Sequence, residues 1–504
     1  MKLSRKKHHY STPRPGIIGI MGILGISIVF SACEDFLSQV PDNRTTIDSK
    51  EKIAELLVTA YPDGNYMMFC EAMSDNVEDN PSQAQDVRNS DPYFWRNVTS
   101  TAQDSPEYYW NSCYAAIAAT NHALKAMEDS GDPAQFPEER GEALVARAYA
   151  HFMLVSLFAR IYDPATAGSD PGIPYVTTPE TKSLASYSRG TVQEVYDQIE
   201  KDLLEGLPLI DDGAYETDDA DATGVISYHF TKAAAHAFAC RFYLFRKDYS
   251  KVIEYAGLAF PDGDIAGAIR PWNSTYLTLS RTALVNTYTR SSEKTNLLLK
   301  ETISDWATSY AALRYATGVT RRDELFYPNV TGGTYSYTLY YGSSQIFYVP
   351  KFKEHFVQTG VNATTGITYV VLPLFTAEEV LLNRAEAYVM LNNLDAAVAD
   401  MNILVSKRIA GYEPMYHDIT ANKLYNYYHE NINQRATLAA VLDLRRAEFV
   451  HEGMRWFDIL RHNIPVTHSV RGGDPVTLPR GDVRRTLQIP AEAITIGGLE
   501  PNPR

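Results

Sequence analysis

Apolar residues recur every three or four positions in several long segments, the pattern of helices with one buried face. The strongest case covers about residues 107–128 and holds a stripe of aromatic, aliphatic and amide side chains: Trp110, Tyr114, Ile117, Asn121 and Leu124. A second stripe covers 138–162. The pattern of a first helix starts near Ser49, and Thr191 is a good N-cap for a helix over 192–207.

An internal repeat organises these helices. Residues 243–256 align without a gap to residues 388–401, and an alanine-rich helical segment precedes each copy. Small residues where two helices cross, with a short polar turn between them, give a helix hairpin similar to the tetratricopeptide unit. We predict an all-α fold, a tetratricopeptide-like scaffold of about four helix pairs with an irregular, loop-rich lobe.

That lobe is predicted between about 270 and 350, where the helical pattern breaks. The segment is rich in Gly, Thr, Ser and Asn and contains 14 aromatic residues, and only 304–317 has a helical pattern. It is too apolar for a flexible linker, so we expect it to fold onto the scaffold. Irregular segments on a rigid scaffold often carry binding residues.

Aromatic residues outside the periodic helices, or at their edges, are the candidate ligand contacts. Sugar rings stack their CH faces on Trp and Tyr, while nearby polar groups bind the hydroxyls. Six residues fit this description: Tyr93, Trp95, Trp272, Tyr276, Trp306 and Tyr310. For each of them the alternative is a ring packed in the interior. Trp110 and Trp456 lie in helical stripes and are predicted to be core residues.

Length and charge narrow the class of protein. The chain has 504 residues and a formal net charge of −15. This length exceeds the usual size of one compact core, so two domains or a solenoid-like array are expected. A nucleic-acid partner is a poor fit, because phosphates require clustered cations.

The N-terminus has the pattern of a secretion signal. A basic stretch ends at Arg14, an apolar run covers 17–30, and Ser-Ala-Cys33 follows. The run is too short for a membrane-spanning helix, which needs about 20 residues. Cleavage is expected directly before Cys33 or at an ordinary site nearby.

Three cysteines remain after Cys33: Cys70, Cys113 and Cys240. An odd number argues against a disulfide framework, and their spacing does not suggest zinc. Cys113 and Cys240 lie in apolar helical patterns and are predicted to be small core residues. A bridge between Cys70 and Cys113 stays open.

The sequence contains none of the common catalytic signatures, neither GxSxG, HExxH, a P-loop nor GxGxxG. Asp75, Glu78 and Asp79 are the carboxylates that would serve a glycosidase, but their separation is not determined by the sequence. We therefore predict a protein that is not an enzyme and needs no cofactor or metal ion.

The segment 442–461 has the densest pattern in the chain. Read as one helix, it places Arg445, Glu448, Glu452 and Arg455 on one face, within reach of i,i+3 and i,i+4 ion pairs. A second stripe carries large apolar side chains that we expect to be buried: Phe449, Trp456, Phe457 and Leu460.

This segment resembles the C-terminal signature of the SusD/RagB family, which are nutrient-binding outer-membrane lipoproteins of Bacteroidetes. The residues that carry the resemblance are Arg445, Arg446, Glu448, Glu452, Gly453, Arg455, Trp456, Asp458 and Arg461. The glutamate that usually precedes the arginines is Leu444 here, with Asp443 one residue away as a substitute. The resemblance implies a structural role for the motif.

Other stretches extend the resemblance. Ser-Ala-Cys33 is similar to a bacterial lipobox, which implies that Cys33 carries lipid, and residues 489–503 resemble the family's closing segment. The implied organisation is a lipoprotein signal peptide over 1–32, a lipidated tether over 33–48, and a single SusD-like domain over 49–504 with a loop-rich insertion at about 270–350.

The resemblance also implies a function. Family members capture oligosaccharides, or in some cases peptides, at the outer cell surface and deliver them to a SusC-like TonB-dependent transporter. The lobe and residues 63–104 would then hold the ligand, and the N-terminal lipid would anchor the protein to the outer membrane. The alternatives are a surface glycoside hydrolase on a helical scaffold and an adaptor that binds only protein.

Overall fold

The computed structural model describes residues 47, 49–81, 83–180, 187–215, 225–342, 345–360, 363–431 and 433–504. The chain divides into two units, Met1–Thr46 and Ile47–Arg504, and every element below belongs to the second. Cys33, the predicted signal peptide and most of the predicted tether lie outside the described residues.

Helices form most of the scaffold. Those before the lobe are α1 (Lys50–Leu57), α2 (Met67–Met73), α3 (Val87–Tyr93), α4 (Pro106–Asp129), α5 (Pro137–Phe158), α6 (Val192–Gly206), α7 (Lys232–Arg246), α8 (Tyr249–Ala259) and α9 (Ile265–Ala268). Those within and after it are α10 (Arg281–Tyr288), α11 (Trp306–Ser309), α12 (Val319–Phe326), α13 (Ala377–Met390), α14 (Leu394–Val405), α15 (Pro414–His417), α16 (Ala421–Tyr428), α17 (Asn433–Glu448), α18 (Met454–Arg461) and α19 (Ala491–Thr495).

Consecutive helices pack in pairs, which confirms the tetratricopeptide-like scaffold. α4 packs against α5, α7 against α8, α13 against α14 and α16 against α17. Contacts of α13 with α8 and α17 join separate pairs. The scaffold therefore continues across the lobe insertion.

The two copies of the repeat turn in the same way. Lys247 and Asn392, which the alignment equates, both adopt left-handed backbone conformations, with φ of 65° and 59°. In each copy the next N–H donates to the carbonyl five residues earlier, Asp248 to Tyr243 at 3.0 Å and Asn393 to Tyr388 at 2.8 Å. This bond satisfies carbonyls left open at a helix end, so the repeat seen in the sequence is a repeat of backbone geometry.

The predicted starts of two helices are confirmed. The Ser49 hydroxyl accepts a hydrogen bond from the Lys52 N–H at 3.3 Å and caps α1. Thr191 caps α6 through a reciprocal pair with Glu194, in which each side chain accepts from the backbone N–H of the other residue.

The scaffold also carries small antiparallel sheets that the sequence did not predict. The strands are β1 (Glu78–Asp79), β2 (Asn296–Ile303), β3 (Tyr315–Ala316), β4 (Tyr340–Tyr341), β5 (Phe347–Tyr348), β6 (Lys353–Gln358), β7 (Gly366–Thr376), β8 (Val466–His468) and β9 (Val476–Leu478). They pair as β1–β3, β2–β7–β6, β4–β5 and β8–β9. β7 leads directly into α13, whose N-cap is Thr376. Leu298 of β2 and Phe375 of β7 belong to the main hydrophobic core, so the lobe is packed onto the helices as expected.

The helix predicted over 304–317 is wrong. Only α11 forms there, and the segment ends in β3, which pairs with β1. Leu313 makes a parallel bridge to Ala84. Pairing with a distant segment thus outweighs the local helical preference.

The single helix predicted over 442–461 is also wrong, because the chain turns between α17 and α18. Gly453 stands at the turn with φ of +71°, a conformation that favours glycine. Its N–H donates to the Glu71 carboxylate at 3.2 Å. The four charged side chains therefore do not share one face.

Arg445 and Arg461 pair with Asp458 inside this signature, whereas its other charged residues bind partners from other segments. The pairs are Arg445–Asp458 at 3.0 Å, Glu448–Arg408 at 2.6 Å, Glu452–Lys351 at 2.6 Å, Arg455–Asp75 at 2.8 Å and Arg461–Glu386 at 2.5 Å. Phe449, Trp456, Phe457 and Leu460 are buried as predicted. Leu444 is buried too, whereas Asp443 is exposed and accepts a hydrogen bond from Tyr428 at 2.8 Å, so it does not replace the family's glutamate in the interior.

Cys70, Cys113 and Cys240 are free thiols in the interior, which confirms Cys113 and Cys240 as core residues. Within the described part of the chain, no helix is both long and apolar enough to cross a membrane.

Candidate functional site

Residues 63–104 and the lobe, the two segments expected to hold a ligand, meet in the structure. β1 pairs with β3, with Glu78 opposite Ala316 and Asp79 opposite Tyr315. The Asn80 side-chain amide, buried between the strands, donates to the carbonyls of Arg314 and Ala316, each at 3.2 Å. Residues 63–104 and the lobe thus form one surface.

The six aromatic residues predicted to contact a ligand are all buried. Their side chains are exposed by 0 % (Tyr93), 4 % (Trp95), 0 % (Trp272), 1 % (Tyr276), 3 % (Trp306) and 3 % (Tyr310). The indole N–H of Trp95 donates to the Met73 carbonyl at 3.1 Å, and that of Trp306 donates to the His451 carbonyl at 2.8 Å. A ring without an open face cannot stack on a ligand, so the structure contradicts this role for the six residues. A position outside the long periodic helices does not ensure exposure, because these segments fold inward.

Two of the six support the surface from beneath. The Tyr93 ring lies between Tyr315 and His468, with both ring centroids 4.0 Å away. The Trp95 ring also stacks on His468, with ring centroids 4.5 Å apart. Val77, Tyr93 and Tyr315 form a small hydrophobic cluster of their own, against which Phe94 packs. This stack fixes the position of Phe94.

The most exposed aromatic ring of the lobe is Tyr341. It is 72 % exposed and packs at a tilt of 53° against Phe347 of the neighbouring strand β5, with ring centroids 4.7 Å apart. The Arg322 guanidinium lies 4.1 Å from the Phe347 ring centre. Sequence reasoning missed Tyr341, although the pattern Tyr340-Tyr341-Gly342 followed by Phe347-Tyr348 was a signal for a hairpin with paired aromatic residues.

A second aromatic and basic group lies at the other end of this surface. Arg96 is exposed, and its guanidinium lies 4.7 Å from the ring of half-buried Phe94. Phe94 contacts Tyr315 edge-on at 5.7 Å, and the Arg314 guanidinium lies 5.3 Å from that tyrosine ring. The half-buried Phe94 ring, supported by buried Tyr315, can contact an apolar face of a ligand, and the two guanidinium groups can donate to hydroxyl groups at its edge.

The two groups belong to one continuous surface. The Phe347 N–H donates to the Thr317 carbonyl at 2.9 Å, one residue after β3, and Glu78 of β1 accepts from the Thr320 N–H at 3.2 Å. We call this surface the lobe face and define it by Glu78, Asp79, Phe94, Arg96, Arg314, Tyr315, Arg322, Tyr341 and Phe347.

Asp75 and Asp79, two of the three carboxylates that would serve a glycosidase, are held in ion pairs. Asp75 bonds Arg455 at 2.8 Å; burial alone would raise its pKa, but Arg455 and Arg446 hold the pKa well below the usual range. Asp79 bonds Arg314 at 2.6 Å, and although burial works against it, this pair lowers the pKa of Asp79. Neither group is suited to give or take a proton near neutral pH. Among the described residues, no group of three or more His, Cys, Asp or Glu side chains is arranged to hold a metal ion.

Two family models match the chain. One, described as starch-binding associating with outer membrane, matches residues 35–244, and the model of the SusD family matches residues 315–477. Between them they cover most of the chain. It belongs to the SusD/RagB family. The two matches include Phe94 and Arg96 on one side and Tyr315, Arg322 and Tyr341 on the other, so both halves of the lobe face lie in SusD-like sequence.

Solved structures share the SusD fold. A SusD superfamily protein from Bacteroides thetaiotaomicron VPI-5482 is 20 % identical with a TM-score of 0.64, covering 90 % of this chain and 100 % of that chain. A putative sugar binding protein from Bacteroides vulgatus ATCC 8482 is 19 % identical with a TM-score of 0.65, and the match covers 91 % of this chain and 99 % of that chain. A laminarin-binding SusD-like protein is 16 % identical with a TM-score of 0.60, and the match covers 90 % of this chain and 97 % of that chain. No curated protein matches the chain.

Proposed function

We propose that this SusD-family chain is a surface-exposed, lipid-anchored binding protein that captures oligosaccharides and delivers them to a SusC-like TonB-dependent transporter. The observation that carries the proposal is the lobe face, where the exposed Tyr341 ring packs against Phe347 beside Arg322 and keeps an open face. Stacking platforms of this kind suit sugar rings.

Similar folds support the choice of a glycan. Structures that share this fold include a laminarin-binding protein and a putative sugar-binding protein. A peptide is the alternative cargo, because tyrosine rings and guanidinium groups also bind peptides. The ligand class is therefore the first quantity to measure.

The anchor and the transporter rest on the sequence and the family. Cys33 follows an apolar run that resembles a lipobox, and one matching family model describes association with the outer membrane. A lipid anchor would hold the protein near its transporter and raise the effective concentration of captured ligand there.

We propose that the protein binds without catalysis. Asp75 and Asp79 are held by arginines, so they are poorly placed to serve as a glycosidase pair. Incubation with a bound glycan should release no new reducing ends. Their release would contradict this part of the proposal and favour a surface glycoside hydrolase.

Binding to a glycan array and a peptide pool tests the function. The full-length protein is kept in a detergent without a sugar headgroup, and each hit is then titrated by calorimetry. Because the Tyr341 ring is mostly exposed, Tyr341→Ala should weaken glycan binding by about tenfold or more and leave the fold intact. Tyr425, 53 % exposed on α16 and outside the lobe face, supplies the matched control Tyr425→Ala, which should leave binding unchanged.

A glycan hit that Tyr341→Ala weakens supports the proposal. A peptide hit with the same dependence changes the cargo. A folded protein that binds neither library, while it still binds the transporter, would contradict ligand capture and favour an adaptor.

A further inference from the structure

A separate pocket lies between α4, the segment before α6 and the C-terminal residues. Its volume is about 390 Å³, and it opens between the exposed face of α4 and the short helix α19. Residues spaced three or four apart on α4 form one wall. The acidic and aromatic lining residues are Glu107, Trp110, Tyr114, Glu180, Tyr187 and Glu492.

Fixed aromatic rings line this pocket. Trp110 packs edge-on against Phe158 at 4.9 Å and contacts Tyr114 at the same ring distance. The Tyr114 hydroxyl donates to the Pro174 carbonyl at 2.9 Å, and the Tyr187 hydroxyl donates to the Glu180 carboxylate at 2.5 Å. Sequence reasoning assigned Trp110 to the core. It is only 5 % exposed, but it contributes to the wall of a cavity.

Every charged side chain among the described lining residues of the pocket is acidic. Glu107, Glu180 and Glu492 line it, and the described lining residues include no Lys, Arg or His. Within the described part of the chain, none of the three carboxylates takes part in an ion pair. Burial and then the charge of Glu492 raise the pKa of Glu107, so the two carboxylates are close enough to repel each other.

Carboxylates beside aromatic faces form a favourable environment for an organic cation. Ring faces attract a cation through their quadrupole, and a cation also relieves the repulsion between the carboxylates. A neutral sugar would gain hydrogen bonds from the glutamates but would leave that repulsion in place.

A larger cavity of about 740 Å³ adjoins the pocket on the side that leads towards the lobe face. The two share Glu107, Pro490, Glu492 and Ile496, and the larger one also includes Arg96 and Arg504. Arg96 belongs to the lobe face as well. A chain-like ligand can therefore extend from the pocket through the adjoining cavity towards the lobe face.

We propose that the pocket binds the ammonium group of an amino sugar, so that the preferred glycan carries a free amine. This inference rests on the proposed function, since it names the class of oligosaccharide that the protein captures. The carboxylates bind the amine, the half-buried Tyr114 ring lies against the sugar with Trp110 supporting it, and the remaining residues of the glycan extend towards Arg96.

Two ligands that differ only in their amines test the inference. The full-length protein is titrated with a β-1,4-linked N-acetylglucosamine oligomer whose terminal residue alone is unacetylated glucosamine, and with its fully N-acetylated counterpart, at low and high salt. We expect about tenfold or greater preference for the free amine, with that preference reduced by salt, because the interaction is electrostatic. Glu492→Gln removes one charge at nearly constant shape and should weaken only the amine ligand, whereas Glu128→Gln, exposed on the same helix α4 but outside the pocket, should change neither affinity.

Equal affinity for the two oligomers, or an amine preference that survives Glu492→Gln, would overturn the inference. Binding of the N-acetylated oligomer that depends on Tyr341 would still support the proposed function. A lysine-containing peptide that binds this pocket in preference to the glucosamine oligomer would overturn the amino-sugar assignment. Absence of binding to any glycan would count against both proposals.

Discussion

Buried charged residues join the segments of this protein at the residue scale. Arg408 is fully buried and bonds Glu448 at 2.6 Å and Glu378 at 3.2 Å. Burial works against the ionised form of Glu378, but Arg270 and Arg408 lower its pKa to about 2. The sequence identified Glu448 as structural. It could not identify Arg408 or Glu378, because their partners lie in distant segments of the chain.

His151 gives the clearest prediction at this scale. Its Nδ1 faces the Arg147 carbonyl at 2.9 Å, and its Nε2 accepts from the Val176 N–H at 3.0 Å, which is the bonding of a neutral ring. Burial lowers the pKa of His151 to about 3. The unfolded chain takes up this proton near its ordinary pKa of 6.5, whereas the folded chain does not. The free energy of unfolding should therefore fall by about 3 kcal/mol between pH 6.5 and pH 4 on account of this group.

Urea unfolding of the wild type and His151→Gln across that range measures the effect. Glutamine keeps an acceptor for Val176 and cannot be protonated, so its stability should depend less on pH than that of the wild type. The exposed His122 on α4 provides the control, and His122→Gln should follow the wild-type curve. Parallel curves for the wild type and His151→Gln would show that His151 is protonated in the folded protein.

At the scale of elements, the sequence predicted where helices form better than it predicted where one helix ends and the next begins. The helix pairs and the turns at Lys247 and Asn392 follow from periodicity and local composition, which act over a few residues. The break between α17 and α18 does not, because the apolar and charged periodicity continues through it. In the sequence only Gly453 marks the turn. A glycine is required at this position because α2 packs against it.

Gly453→Ala tests that requirement. A Cβ at this position would lie 3.0 Å from the Cys70 Cβ and 3.1 Å from the Met67 Cα, in addition to adopting a positive φ. We expect a loss of about 2 kcal/mol or more in the free energy of unfolding, measured by chemical denaturation. Gly411 has φ of +57° with no heavy atom within 4 Å of its would-be Cβ, so Gly411→Ala should cost only the backbone strain, about 1 kcal/mol. Equal losses would contradict the packing argument.

At the scale of the whole molecule, the sequence predicted two segments that meet in the structure but not which of their side chains are exposed. Residues 63–104 and the lobe do meet, through β1 and β3. Exposure depends on how these segments fold over the scaffold. Trp272 and Trp306 turn inward, while Tyr341 is left on the surface by a two-residue strand pairing that has almost no periodic signal.

Hydrogen–deuterium exchange of the full-length protein, with and without a saturating glycan from the array, tests the central claim most directly. The account predicts slower exchange in residues 78–96 and 311–342 and no such protection in Tyr341→Ala at the same glycan concentration. The C-terminal residues 490–499 should gain protection only with a glycan that carries a free amine. Protection confined to helices away from the lobe face, or none in either predicted segment while the glycan is bound, would contradict the lobe face as the capture site.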